Sequence, residues 1–241
     1  MLTVCIRSTD VLLLPGMLCD ASLWAHQIEA LGSHWRVSVG DITGAESVRE
    51  IAAQVLACAP RSFAVAGLSM GGIVALEMWR QAPQRIERLA LLDSNFRADP
   101  PGRRRLRDRQ MADVASGALE RVLRDELKPN YLADCHRDDL ALLDDVLGMG
   151  MALGAGVFRR QSLALRDRPD SSATLATITC PALVLCGDED RLCPPALHRE
   201  MAAAIPNGSL EIVSRCGHLS AMEQPNAVST ALRRWLEHDE E

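Results

Sequence analysis

Several features that mark other protein classes are missing from this sequence. Lysine occurs once, at Lys128, among 26 basic residues, a bias that we interpret as genomic composition. None of the eight cysteines forms a C-x-x-C pair, and none is spaced with histidine as in a zinc site. Most of them lie in apolar runs that are typical of small buried thiols. We therefore expect no metal ion and no cofactor. Cys193 and Cys216 are the two thiols that we expect near the functional site.

Long apolar runs and an excess of positive charge are also missing. No uninterrupted apolar stretch reaches the length of about 20 residues that a membrane helix needs. Residues 1–7 show neither the apolar stretch nor the cleavage site of a signal peptide. The formal net charge of -6 argues against nucleic acid as the main partner. We expect a cytoplasmic protein that neither spans a membrane nor binds nucleic acid.

The strongest signal that is present is a five-residue motif, Gly67-Leu68-Ser69-Met70-Gly71. A strand-like apolar run precedes it at residues 63–66, and an apolar helical pattern follows at residues 72–79. A G-x-S-x-G sequence between a strand and a helix is typical of a nucleophile elbow, a strained turn that exposes the serine hydroxyl at a helix N-terminus. The motif therefore predicts that Ser69 is a nucleophile.

Strand-like and helical patterns alternate along most of the chain, whose 241 residues fit one α/β domain with an insertion. This alternation predicts a mostly parallel sheet flanked by helices on both faces. Strands are predicted at residues 11–14, 35–39, 63–66, 89–92, 182–186 and 210–213, and helices at residues 22–31, 47–57, 195–205 and 226–237.

Residues 98–169 break this alternation, because they contain helical spacing and many charges but no strand-like run. We interpret them as a helical cap inserted after the fourth predicted strand, which leaves residues 1–97 and 170–241 as the core. Ligands of α/β sheets usually bind at the edge where this insertion begins. The segment is thus expected to form a lid over a substrate pocket, although an ordinary helical decoration has the same pattern.

A serine nucleophile needs a base, and His218 is the best-placed histidine. It lies just after the predicted strand 210–213, at the sheet edge where Ser69 should emerge. The remaining histidines fall in predicted helices, in the insertion, before a strand or in a charged tail: His26, His34, His136, His198 and His238.

Three aspartates compete to orient His218. Asp190 lies far enough beyond the fifth predicted strand to bend towards the histidine, and we favour it. Asp188 directly follows Gly187 and is better suited to holding the turn, while Asp93 ends the fourth predicted strand. Both remain alternatives, because the chain order Ser, Asp, His holds for all three.

The oxyanion of an acyl-transfer reaction needs two N–H donors. One predicted donor is Met70, the residue after the nucleophile. The other is Met17, in the loop after the first predicted strand, where Gly16 permits a turn. We also expect the substrate to contact residues next to this machinery or at the end of the insertion, namely Gly16, Leu18, Phe158 and Leu219.

These pieces together resemble the α/β-hydrolase superfamily over essentially the whole chain. Within it, the pattern is similar to small bacterial esterase-like members with a helical cap, such as pimeloyl-carrier-protein methyl esterases and enol-lactonases. The matching pieces are residues 14–16 with Trp24, the elbow, residues 187–190 with Pro194, and residues 217–218 with Glu223 and Pro225. The resemblance implies an α/β-hydrolase fold.

Taken together, the residues and the resemblance predict that the protein cleaves a small carboxylic ester through an acyl-enzyme. The same triad leaves acyl transfer, lactone hydrolysis and carbon–carbon bond hydrolysis open, with a non-catalytic binding protein as a weaker alternative. The basic run 103–107 could dock an acidic carrier protein or a phosphate-bearing thioester. We favour the simpler interpretation that this run is a solvated helix face.

Overall fold

Six parallel strands form one sheet in the computed structural model, which describes residues 9–237. The strands are β1 (Asp10–Leu14), β2 (Arg36–Val39), β3 (Phe63–Leu68), β4 (Ile86–Leu92), β5 (Ala182–Gly187) and β6 (Gly208–Val213). Their spatial order is β2-β1-β3-β4-β5-β6, so β3, which leads into the elbow, lies inside the sheet. The predicted parallel sheet is confirmed, with small shifts at the strand ends.

The helices pack on both faces of this sheet, as the pattern predicts. Alternate residues of the first strand enter opposite clusters: Leu12 and Leu14 pack with the helices of residues 48–58, 70–81 and 195–204, whereas Val11 and Leu13 pack with those of residues 25–32 and 225–237. The helices are α1 (Ala25–Gly32), α2 (Val48–Cys58), α3 (Met70–Gln81), α4 (Pro101–Ala115), α5 (Leu119–Arg121), α6 (Leu140–Arg166), α7 (Ser172–Leu175), α8 (Pro195–Ala204), α9 (Ser220–Glu223) and α10 (Pro225–Glu237).

The segment between β4 and β5 is helical in the described chain and contains α4, α5, α6 and α7. A wide helical turn, Val122–Leu127, continues α5. These helices bury a small cluster of their own, which includes Val122, Leu123 and Phe158 and also Leu18 from the loop after β1. The inserted helices are thereby attached to the core, while the exact division at residues 97/98 and 169/170 stays a prediction.

Among the described helices, α6 is the one that is long and apolar enough to cross a membrane. Its backbone is not continuous, because Gly154 has a φ of 79° and a ψ of 177°. Residues from both of its parts pack against other elements, Met149 in the cluster beneath α1 and Leu165 in the cluster beneath α3. In this structure α6 is a packed helix of the insertion, and the absence of a membrane span stays a prediction.

The turn from β3 into α3 is a very close backbone crossing. A Cβ atom on Gly67 would lie 2.3 Å from the carbonyl carbon and oxygen of Gly71, and one on Gly71 would lie 2.2 Å from the carbonyl oxygen of Leu14. Atoms at such distances overlap, and backbone atoms cannot move aside as a flexible side chain can. Both glycines of the motif are therefore required by the contact between β3, α3 and β1.

We expect the substitution Gly67→Ala to lower the free energy of unfolding by roughly 1–3 kcal/mol, the usual cost of forcing an extra methyl group into packed structure. Gly148→Ala is the matched control, because no atom lies within 4 Å of its added Cβ and Gly148 is an exposed residue within α6. This control should raise stability by roughly 0.5–1 kcal/mol. Urea unfolding measures both, and a Gly67→Ala protein as stable as wild type would contradict the steric account.

Candidate active site

Ser69 lies between β3 and α3 at the carboxyl edge of the sheet. Its φ of 54° and ψ of -113° are in a strained region of backbone conformation. The strain is held in place because the Ser69 N–H donates to the carbonyl of Leu92 at 2.8 Å and the Ser69 carbonyl accepts from Ser94 Oγ at 2.8 Å. The serine hydroxyl is thereby presented at the N-terminus of a twelve-residue helix.

The structure brings His218 and Asp190 together with Ser69. Ser69 Oγ lies 2.9 Å from His218 Nε2, and His218 Nδ1 lies 2.9 Å from Asp190 Oδ2. The other oxygen of Asp190 accepts the N–H groups of Leu192 and Cys193 at 2.9 and 2.8 Å, which fixes the carboxylate. A Ser-His-Asp triad requires this series of contacts.

The two alternative aspartates have other partners. Asp188 Oδ1 accepts the N–H of Cys216 at 3.1 Å, which joins the loops after β5 and β6. Asp93 is fully buried and accepts the N–H groups of Gly187 and Ser220, both at 3.1 Å. Burial, with repulsion from Asp190, raises the pKa of Asp93 to about 8. Asp93 therefore links the loop after β5 to the start of α9, whereas Asp190 is the aspartate that is hydrogen-bonded to His218.

The surroundings of His218 favour its charged form overall. Burial opposes the imidazolium, but attraction from Asp190 and its hydrogen bond, with smaller contributions from Asp93 and Glu223, raises the pKa of His218 above 6.5. A histidine in this setting can accept a proton from Ser69 and remain stabilised as a cation.

The loop that carries His218 is held by Glu223, which sequence reasoning did not assign to the site. The buried Glu223 carboxylate accepts the N–H of Gly217 at 2.9 Å and, through its other oxygen, the N–H of Ala133 at 2.8 Å. The His218 N–H donates to the carbonyl of Tyr131 at 2.6 Å. The inserted helical segment thus forms part of the support for His218.

The predicted oxyanion loop lies beside Ser69. A Cβ atom on Gly16 would lie 3.6 Å from Ser69 Cβ, and the N–H of Leu18 is already donated to Gln161 Oε1 at 2.8 Å. Met70 is the first residue of α3, so its N–H has no acceptor within the helix. Met17 and Met70 therefore stay the predicted donors. Gln161, which fixes the loop from α6, lies in a stretch of the sequence with no local mark of this role.

The predicted substrate contacts Leu18, Phe158 and Leu219 are buried, and their role in substrate binding stays a prediction. All three are buried in hydrophobic clusters, Phe158 with an exposure of 0%, and none lines the cavity next to Ser69. Their apolar side chains stabilise the packing of the loop, the insertion and the His218 segment. Gly16 borders the serine but likewise does not line the cavity wall.

A cavity of about 270 Å³ opens beside Ser69 and His218. Its wall comes mainly from the start of α4, the end of the insertion and the loop after β5: Met70, Ile73, Asn95, Asp99, Pro100, Arg103, Arg107, Leu165, Arg168, Leu192 and Cys193. The basic run therefore does not form a single solvated face. Arg107 is buried and Arg103 half-buried on this wall, whereas Arg104 and Arg105 are exposed.

Cys193 lies close to the triad. Its sulfur could hold a metal ion together with Asp190 and His218, since the three ligand atoms lie within 4.8 Å of one another. Asp190 and His218 are already hydrogen-bonded to each other. Burial, with repulsion from Asp190 and Asp93, raises the pKa of the Cys193 thiol well above 9, and a protonated thiol is a poor metal ligand. The expectation of a site without a metal stays a prediction.

The family follows from comparison with known proteins. The alpha/beta hydrolase family matches residues 11–231, which is most of the chain. The chain therefore belongs to the alpha/beta hydrolase family, and the predicted fold and the predicted enzyme of the hydrolase class are confirmed.

Individual relatives extend this result. A protein of Serratia proteamaculans provisionally named a carbamate hydrolase is 30% identical over 254 residues, which covers 96% of this chain and 94% of the relative. A pimeloyl-[acyl-carrier protein] methyl ester esterase of Aliivibrio salmonicida is 26% identical over 253 residues, covering 98% and 95%. A thermophilic esterase from Thermogutta terrifontis has a solved structure with 28% identity and a TM-score of 0.88, covering 96% and 90%.

A second buried histidine supports the elbow from α8. His198 is fully buried, and its Nε2 accepts the N–H of Ser94 at 3.0 Å, next to the hydroxyl that Ser94 donates to the Ser69 carbonyl. Burial is the main cause that lowers the pKa of His198 to about 4. The histidine is therefore neutral in the folded protein, as its role as an acceptor requires.

This depressed pKa predicts a loss of stability in acid. The unfolded state takes up a proton at His198 near pH 6.5, whereas the folded state does so only near pH 4. The contribution of neutral His198 to the free energy of unfolding is therefore fully present above pH 6.5 and is lost as the pH falls towards 4. It amounts to roughly 3 kcal/mol. Urea unfolding across this pH window should show a shallower dependence in His198→Gln than in wild type. His26→Gln, at an exposed position, should keep the wild-type slope, and an unchanged slope in His198→Gln would contradict the assignment.

Proposed function

We propose that the protein is a serine esterase that hydrolyses small carboxylic esters through an acyl-enzyme. The observation that carries the proposal is the continuous contact from Ser69 Oγ through His218 to Asp190, with 2.9 Å at each step. The cavity beside Ser69 gives the ester access to the nucleophile. Its volume of about 270 Å³ lies below the usual range for drug-sized ligands and suits a substrate of few atoms.

In the first half of the reaction, Ser69 Oγ attacks the ester carbonyl carbon while its proton passes to His218 Nε2. The carbonyl oxygen becomes an oxyanion that the N–H groups of Met17 and Met70 stabilise. Asp190 stabilises the imidazolium that forms. The tetrahedral intermediate then collapses, the bond to the alcohol oxygen breaks, and that oxygen takes the proton from His218.

In the second half, water takes the place of the alcohol. His218 Nε2 removes a proton from the water, whose oxygen attacks the acyl carbon and forms a second tetrahedral intermediate. Cleavage of the bond to Ser69 Oγ releases the carboxylic acid, and the proton on His218 returns to the serine. The enzyme is thereby restored with no other reactant than water.

Carbamate hydrolysis is a second candidate, because a relative with nearly full coverage carries that provisional name. The same steps apply to a carbamate carbonyl, and a panel of matched esters and carbamates separates the two. The relative named for a carrier-protein ester is the support for a carrier-protein partner. Of the basic run, Arg104 and Arg105 remain on the surface for such a contact, and Arg104 is paired there with Asp167.

We expect Ser69→Ala to lower hydrolysis of small p-nitrophenyl esters by about 10,000-fold or more, because the acyl-enzyme cannot form without the hydroxyl. The same substitution should abolish labelling by a fluorophosphonate probe. Ser214→Ala is the control, since Ser214 is exposed and outside the site. Labelling that persists in Ser69→Ala would contradict the assignment of the nucleophile.

We expect Asp190→Asn to lower kcat/KM by about 1,000-fold or more, because the imidazolium loses its charged partner. In wild type, kcat/KM should fall as the pH drops through a pKa above 6.5, because only neutral His218 accepts the proton. Removal of the Asp190 charge should move that midpoint to lower pH, which a purely structural role would not do. Asp188→Asn should leave this midpoint unchanged. If the midpoint moved in Asp188→Asn and stayed in place in Asp190→Asn, Asp188 and not Asp190 would be the aspartate that acts on His218.

A further inference from the structure

The charged wall of the cavity beside Ser69 is mostly basic. Three arginines, Arg103, Arg107 and Arg168, line it together with one acid, Asp99. Hydrolysis of a neutral ester by Ser69, His218 and Asp190 gives no role to this excess of positive charge. The excess therefore needs an explanation in terms of what else occupies the cavity.

The single acid is shared between two of the arginines. Asp99 Oδ1 pairs with Arg168 Nη1 at 2.7 Å, and Asp99 Oδ2 pairs with Arg107 Nε at 2.5 Å. Arg168 also donates to the carbonyls of Arg97 and Leu165, both at 2.9 Å. The Nε and Nη1 groups of Arg168 are thus bound to protein oxygens.

Arg107 and Arg103 keep unused donors. Arg107 has an exposure of only 8%, and its Nη1 contacts the weak acceptor Met17 Sδ at 3.9 Å. Arg103 has neither an ion pair nor a hydrogen bond to any side chain within residues 9–237. No atom of Arg103 or Arg107 is among the fully buried side-chain atoms that lack a partner in residues 9–237, so their unused N–H donors are open to the cavity and can bind an anion that enters it.

The position of α4 strengthens this preference. Pro100, the residue before this fifteen-residue helix, and Arg103, in its first turn, both line the cavity. A helix N-terminus favours negative charge, and Arg103 and Arg107 lie one turn apart on the same helix face. Arg105, on the same helix, is exposed and does not line the cavity.

We propose that Arg103 and Arg107 form an anion subsite that binds a carboxylate of the substrate, so that preferred esters carry a negative charge a few atoms from the ester bond. The planar guanidinium matches a carboxylate in shape and charge. The limited cavity volume places the two groups close together. This inference rests on the proposed function, because the anion subsite and Ser69 share one cavity.

The test compares anionic with neutral esters of similar size. Monomethyl succinate and methyl pentanoate place the charge on the acyl side, while acetoxyacetate and propyl acetate place it on the alcohol side. For at least one pair, wild type should prefer the anionic ester, and Arg103→Gln should reduce the ratio of kcat/KM values about tenfold, mainly through KM. The pair that responds identifies which part of the substrate carries the carboxylate.

Arg105→Gln is the matched control, because it removes the same charge from the same helix outside the cavity, and it should keep the wild-type ratio. Arg107→Lys keeps the charge beside Asp99, so the protein should fold, but it should lower the ratio severalfold because the second donor is lost. A ratio that is equal in wild type, Arg103→Gln and Arg105→Gln for both pairs would overturn the proposal.

Binding separates this inference from the proposed function. Calorimetry should detect succinate binding to the Ser69→Ala protein, and this binding should be lost in Ser69→Ala combined with Arg103→Gln. Succinate binding without hydrolysis of any ester would support the subsite and refute the esterase. Hydrolysis without succinate binding would support the esterase and refute the subsite.

Discussion

The close crossing of β3 and α3 is the constraint on which the rest of the site depends. Gly67 and Gly71 have no room for a side chain, because each already touches backbone of the neighbouring element. This contact bends the chain so sharply that Ser69 adopts a φ of 54°. The strained backbone is held by hydrogen bonds with Leu92 and Ser94, at the end of β4 and just after it. The turn places the hydroxyl at a helix N-terminus, where a developing negative charge is stabilised.

The other two residues of the triad, Asp190 and His218, lie on loops that are hydrogen-bonded to one another. Asp93 joins Gly187 to Ser220, Asp188 joins its own loop to Cys216, and Glu223 joins Gly217 to Ala133 of the insertion. Three carboxylates thus position the histidine loop from β4, β5 and α9 without contacting Ser69. The inserted helices are therefore part of the active-site framework as well as a cover over the cavity.

Much of the fold follows from local sequence, and part of the site does not. The strands are short apolar runs, so their pattern alone identifies them, although β4 begins three residues early because Glu87 and Arg88 mask its start. Ser69, Asp190 and His218 follow from their positions after strands. Gln161, Glu223 and the inward side chains of Arg103 and Arg107 depend on contacts between distant segments, which a single sequence does not display. Leu18 and Leu219 were predicted to contact substrate because they are apolar and flank the machinery, and Phe158 because it lies at the end of the insertion. All three are buried in the structure, and burial among distant segments is likewise not visible in a single sequence.

In the proposed mechanism Ser69 carries an acyl group during turnover, and trapping that intermediate is the decisive experiment. The enzyme is mixed with a p-nitrophenyl ester, quenched in acid within milliseconds, digested and analysed by mass spectrometry. We expect a burst of one p-nitrophenol per active site, with the mass of the acyl group on the peptide that contains Ser69. An acyl group on any other residue, or full turnover without a covalent intermediate, would contradict it.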